Sequence, residues 1–194
     1  PEDYSSVFRR LIGRSVTLAL EDVMRPGWRL APEKRAQLLF ALANMLHLPT
    51  AWPSALPLLA ALAPRLEQAG LREDWLGYLE HGIACCAISG DQQTAACLTL
   101  ERGVLLERLG RLSEAQACLA EAIARFVALR DRRGEAKARN RLAYVLRGRQ
   151  LSAAAAQHVD YALQLLDPAD AEALYSCMVL GLLAYDRRDW ETAE

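Results

Sequence analysis

Five cysteines (Cys85, Cys86, Cys97, Cys118 and Cys177) and three histidines (His47, His81 and His158) are the side chains best suited to hold a metal or to act as nucleophile and base. Their spacing supports neither role. A zinc site needs paired ligands, and the chain contains no CxxC and no HxxxH. The cysteines sit among apolar residues at helical spacing, which predicts reduced thiols buried in a core. Reduced thiols point to a cytoplasmic chain. The serines and histidines are scattered along helical stretches, so no Ser-His-Asp or Cys-His set can be assembled. No GxxxxGK[ST] loop cradles a phosphate. The chemistry expected is therefore binding, with no enzymatic activity, no cofactor and no metal.

Charge carries the clearest functional signal. The formal net charge is −1, but it is unevenly spread. Between Arg125 and Arg149 nine basic residues face only Asp131 and Glu135, while from Asp167 to Glu194 seven acids face only Arg187 and Arg188. The basic run could meet an acidic peptide, a nucleotide phosphate or nucleic acid. The ordinary outcome for such a run is a solvated face balanced by acidic neighbours in the same molecule.

The elements that position these charges are helices. The 53% of hydrophobic residues is mostly Leu and Ala, and the strong helix formers Ala, Leu, Arg, Glu and Gln dominate. No stretch alternates with period two, so the fold class expected is all-α. Helices are predicted near 4–24, 32–47, 52–69, 72–89, 92–109, 112–130, 133–148, 151–166 and 170–187, with a stub at 189–194. Asp91 and Asp131 are predicted N-caps, and Arg25-Pro26-Gly27 and Leu48-Pro49-Thr50 break the chain. No apolar run approaches the ~18 residues of a membrane span, and the first residues do not have the pattern of a signal peptide. Trp190 to Glu194 reads as the opening of a further helix, so the chain is expected to be a segment of a longer protein.

An internal repeat organises these helices. A step of 40 carries Leu79 onto Leu119, Gly82 onto Ala122, Gly103 onto Ala143, Ala115 onto Ala155 and Leu119 onto Val159. A step of 38 then carries Ala143 onto Gly181 and Ala155 onto Ala193. Small residues recur because antiparallel helices approach closely only where side chains are small. The clearest unit runs from Gly103 through Gly110, Leu112, Ala115 and Leu119 to Ala122, with Gly110 ending the first helix at positive φ.

This unit resembles the tetratricopeptide repeat, and so does the partial unit Gly181, Trp190, Ala193. The junction Arg130-Asp131-Arg132-Arg133-Gly134-Glu135-Ala136 resembles that of the longer tetratricopeptide subfamily, with Arg130 in place of its first Gly. Gln150 likewise stands where Gly is usual, and Arg102 where a buried Leu is usual.

The resemblance implies a right-handed α-solenoid of antiparallel helix pairs over residues 51–194, preceded or capped by two helices in residues 1–50. It implies a concave groove lined by the first helix of each pair, which places Lys137, Asn140, Tyr144 and Arg147 on the groove side with Arg141 beside them. Leu100, Val104, Glu107 and Arg108 would flank them on one side, and Tyr175, Met178, Leu182 and Tyr185 on the other. Such a surface suits a protein or an extended peptide with acidic and apolar side chains. The subfamily is common in bacterial signal-transduction ATPases and transcriptional regulators, so the expected role is a protein-interaction or regulatory module. The alternatives are an oligomerisation scaffold and, less favoured, nucleic-acid binding through 125–149. Self-association is expected through Leu174, Cys177, Leu180 and Ala184 of the last full helix.

Overall fold

A computed structural model of the chain describes residues 4–25, 32–66 and 72–188. Every regular element among them is helical: α1 (Tyr4–Val23), α2 (Pro32–Leu46), a 3-10 turn (Pro49–Ala51), α3 (Trp52–Leu66), α4 (Arg72–Ser89), α5 (Gln92–Arg108), α6 (Leu112–Leu129), α7 (Arg132–Gly148), α8 (Ser152–Leu165) and α9 (Ala171–Asp186). Wherever a helix end is described, it falls within about one residue of its predicted place, well inside the usual scatter of helix boundaries. The stub at 189–194, with its Trp190, lies outside the described residues.

The helices end by a common device. Gly90, Gly110, Arg130 and Gln150 all take positive φ (77°, 75°, 56° and 63°). In each turn the next residue's N–H donates to the carbonyl five residues back: Asp91 to Cys86, Arg111 to Leu106, Asp131 to Phe126 and Leu151 to Leu146, at 2.9–3.1 Å. These are left-handed C-terminal caps, which satisfy carbonyls that the helix leaves open. Gly110 adopts the conformation at little cost. Arg130 and Gln150 adopt it where the resemblance would place glycine, against the steric penalty on a side chain with a Cβ. The next helix then starts on an acidic cap. Asp91 Oδ1 accepts from Thr94 N–H at 3.0 Å, and Asp131 Oδ1 from Gly134 N–H at 2.8 Å, as predicted.

The chain forms two compact units, Pro1–Glu101 and Arg102–Glu194, divided within α5. In the first unit α1 packs on α2 and α3, and α3 on α4. Val16, Leu42, Leu46, Leu56, Leu59, Leu62 and Leu79 are fully buried there or nearly so. Trp52 Nε1–H donates to the Leu46 carbonyl at 2.9 Å and ties the start of α3 to the end of α2.

In the second unit α7 is central, packing against α6, α8 and α9. Covered on several sides, it buries three alanines, Ala136, Ala138 and Ala143, beside the larger Leu142, Val145 and Leu146. Ala115, Ala122, Ala155 and Ala162 of α6 and α8 are also completely buried, as the repeat spacing predicts. A Cβ at Gly103 would lie 2.6 Å from Leu119 Cγ, so this small position is set by the close approach of α5 to α6.

Candidate interaction surface

The site expected from the sequence centres on α7, and the structure shows what meets it there. Arg133 is joined to Asp170 (Nε to Oδ2, 2.8 Å) at the start of α9, and Arg147 to Asp186 (Nε to Oδ2, 2.6 Å) at its end. The N-terminal ends of α7 and α9 therefore lie together, as do the C-terminal ends, so the two helices run parallel. Between these pairs Arg141 Nη2 lies 3.8 Å from Glu172 Oε2, and its guanidinium stacks on the Tyr175 ring at 3.6 Å. Cation–π stacking of this kind contributes about 0.5–2 kcal/mol.

Asn140 corrects the sequence reading. It was expected on an exposed groove; instead it is completely buried between α7 and α9. Its Nδ2 donates to Glu172 Oε1 (3.0 Å) and to the Glu172 carbonyl (3.3 Å), and its Oδ1 accepts from Ser176 Oγ–H at 2.9 Å. A buried amide needs such partners, and here it fixes the register of two helices. Leu100 and Val104 are a second correction: both are buried in α5 and line no surface. Glu107 is half-buried and Arg108 exposed.

The remaining predicted residues do come together. Lys137, Arg141, Tyr144 and Arg147 are each half-buried along α7 at spacings of three and four. Tyr144 is near enough to Tyr175 and Arg147 to influence both electrostatically. Tyr175 and Leu182 of α9 are half-buried, while Met178 and Tyr185 are exposed. Burial pushes the Tyr175 phenol upward, which Arg141 partly opposes. Asp170 and Asp186 are held below the usual carboxylate range, chiefly by hydrogen bonds from Arg133 and Arg147. The sequence reading did not assign Glu172, Ser176 and Asp186 as partners of α7. The signal was present: Arg133–Asp170, Asn140–Ser176 and Arg147–Asp186 are separated by 37, 36 and 39 residues, close to the repeat step.

The basic run does not form one cationic strip. Arg125 pairs with Glu121 on α6, and Arg139 with Glu135 on α7. Arg139 also stacks on Tyr161 at 3.9 Å and approaches His158 Nδ1 at 3.5 Å, both on α8. Arg132 donates to the Gln164 carbonyl, and Arg149 to Gln116 Oε1. Five of the nine basic residues thus meet carboxylates, in three directions.

The cysteines mostly occupy the interior. Cys85, Cys86 and Cys118 are buried, Cys97 is half-buried, and none of the five forms a disulfide. Burial pushes the Cys118 thiol up to about 11, although Arg102 Nη1 lies 3.9 Å from its Sγ. A thiol held there is not a nucleophile. Cys177 departs from the expectation: it is exposed on α9. In the first unit the His47 and His81 rings lie 4.8 Å apart. A cavity of about 410 Å³ opens between α1 and α2, lined by Ile12, Ser15, Asp22, Gln37, Leu38 and Phe40. Among the described residues no group of three His, Cys, Asp or Glu side chains could hold a metal ion. No described helix is long and apolar enough to cross a membrane. Comparison with family models, with curated proteins and with solved structures finds no match.

Proposed function

We propose that this chain is a protein-interaction module, a right-handed solenoid of tetratricopeptide-like helix pairs within a larger cytoplasmic regulator. It takes a protein or peptide partner along α7 and the adjoining face of α9. The observation that carries this reading is the row of half-buried Lys137, Arg141 and Tyr144 beside Tyr175. Tyrosine and arginine dominate the energetics of protein interfaces, because each offers apolar area and a polar tip. Arg141 is already stacked and oriented, so little side-chain freedom is lost on binding. Lys137 supplies positive charge beside it, which favours a partner carrying carboxylates next to apolar side chains. The neutralisation of five basic residues within the molecule weighs against nucleic acid, which needs a continuous cationic track.

Selection from a displayed peptide library tests the proposal. The expected result is an enriched motif joining acidic and apolar residues, whose affinity falls at least roughly tenfold for Tyr144→Ala combined with Lys137→Glu. Equal binding to the native chain and to this variant would refute the site.

A further inference from the structure

His47 and His81 lie far apart in the sequence, so no ligand spacing joins them there. The fold of the first unit brings their rings to 4.8 Å between centroids, tilted by 54°. His47 follows the last residue of α2 and is exposed; His81 lies within α4 and is half-buried. Among the described residues neither ring has a hydrogen-bond or ion-pair partner, whereas His158 meets Arg139. The backbone beneath the two rings is fixed. The Leu46 carbonyl, in the peptide that leads into His47, accepts from Trp52 Nε1–H at 2.9 Å and from the Cys85 thiol at 3.5 Å. Cys85 lies one turn beyond His81 on the same side of α4, and both Leu46 and Cys85 are buried. The peptide before His47 is therefore anchored to the turn of α4 that carries His81. Side chains mounted on rigid, anchored elements are held near their binding geometry before a ligand arrives.

We propose that His47 and His81 form a two-imidazole site for a late first-row divalent ion, zinc(II) or nickel(II), which bridges the end of α2 to α4. Neutral imidazole is a ligand that such ions favour. With metal–nitrogen bonds of about 2.0–2.1 Å, two imidazoles on one ion hold their ring centres roughly 4.5–5.2 Å apart, between a right angle and a tetrahedral one. The observed 4.8 Å falls inside that range. Cys85 is not a third ligand. It donates to the Leu46 carbonyl, and burial pushes its thiol upward, so it keeps its proton. Among the described residues no further His, Cys, Asp or Glu completes a group of three, so water fills the other positions on the ion. Such an open site binds reversibly, and more weakly than a structural zinc site with four protein ligands. Magnesium and calcium prefer oxygen ligands and do not compete. The site belongs to the first unit and does not depend on the surface proposed on α7.

Calorimetric titration of the chain with zinc(II), nickel(II) and magnesium(II) chlorides tests the site. One equivalent of zinc(II) or nickel(II) is expected to bind, magnesium(II) is not, and the bound ion should raise the melting temperature. His47→Gln and His81→Gln should each weaken binding at least roughly tenfold, with the circular dichroism of the metal-free chain unchanged. His158→Gln should bind as the native chain does. A second measurement needs no variant: paramagnetic nickel(II) should broaden the amide resonances around residues 47 and 81 before any others. A native chain that takes up neither zinc(II) nor nickel(II) at millimolar concentration overturns the proposal. So does uptake that survives both histidine substitutions, broadening that begins elsewhere, or binding lost with Cys177→Ser, which would put the ion on the exposed thiol of α9.

Discussion

Helices α6 and α9 both pack against α7, but the first with a purely apolar face and the second with a mixed one. Toward the interior α6 turns Ala115, Cys118, Leu119, Ala122, Ile123 and Phe126, and toward water it turns Glu114, Glu121 and a half-buried Arg125. The inward side of α9 mixes Ala173, Val179 and Leu183 with Ser176 and the largely covered Glu172, exposed Asp186 pairs with Arg147 at its end, and its outward side is apolar. The first arrangement draws its stability from area removed from water, which is strong and tolerant of register. The second adds hydrogen bonds and ion pairs, which contribute less net energy but are satisfied in only one alignment. The molecule thus uses apolar packing to hold one neighbour of α7 and a polar ladder to index the other.

The largest effect is expected in the apolar seam. Phe126→Ala removes a nearly fully buried ring from α6 and should cost about 3–5 kcal/mol in chemical denaturation. A loss below about 1 kcal/mol would mean that α6 is not the stronger of the two attachments.

The polar ladder should respond less. Asn140→Leu strands the Ser176 hydroxyl and the Glu172 carboxylate and is expected to cost about 1–3 kcal/mol. In a double-mutant cycle with Ser176→Ala the two changes should not add, because they break the same network. Additivity would show that Asn140 acts through volume alone.

Turn chemistry comes next. Gly110→Ala forces a Cβ into a left-handed position and should cost about 1–2 kcal/mol. Arg130→Gly and Gln150→Gly relieve that strain but add freedom to the unfolded chain, so each should change stability by less than about 1 kcal/mol. Melting temperatures of the three variants check this order.

Acidification gives the smallest effects and separates α9 from α6. Asp170 and Asp186 have lowered folded-state values, so the unfolded chain binds protons first. Their contribution is present above about pH 4, the unfolded carboxylate value, and is lost as pH falls through the lower folded values. Amides of α9 should therefore lose hydrogen-exchange protection in acid before those of α6. His158 is lowered by burial first and by Arg139 second. A lowered histidine favours folding above its unfolded value of about 6.5 and withdraws that contribution as pH falls below it. His158→Gln should flatten stability just below neutral pH; an unchanged slope would mean that His158 is solvated.

The helices and their ends were legible because they depend on local interactions. Asp91 and Asp131 cap whatever the surroundings, and Gly110 reads as a helix stop from its own conformational freedom. The buried alanines at 115, 122, 143 and 155 were legible from the repeat, since close helix approach recurs at the repeat spacing. The candidate site was legible only in part. Spacing placed Lys137, Arg141, Tyr144 and Arg147 along one length of α7, but it could not distinguish them from Asn140, which shares that spacing and is buried. Periodicity specifies direction around a helix axis; it does not specify how far a neighbouring helix reaches over that direction. Only the tertiary structure decided that α9 lies parallel to α7, that Glu172 and Asp186 turn inward to meet the arginines, and that Leu174, Cys177 and Met178 are left facing out. Hydropathy alone would have buried that stripe. Arginines more than thirty residues away in sequence meet its two acids, and that pairing fixes which of its apolar sides faces α7.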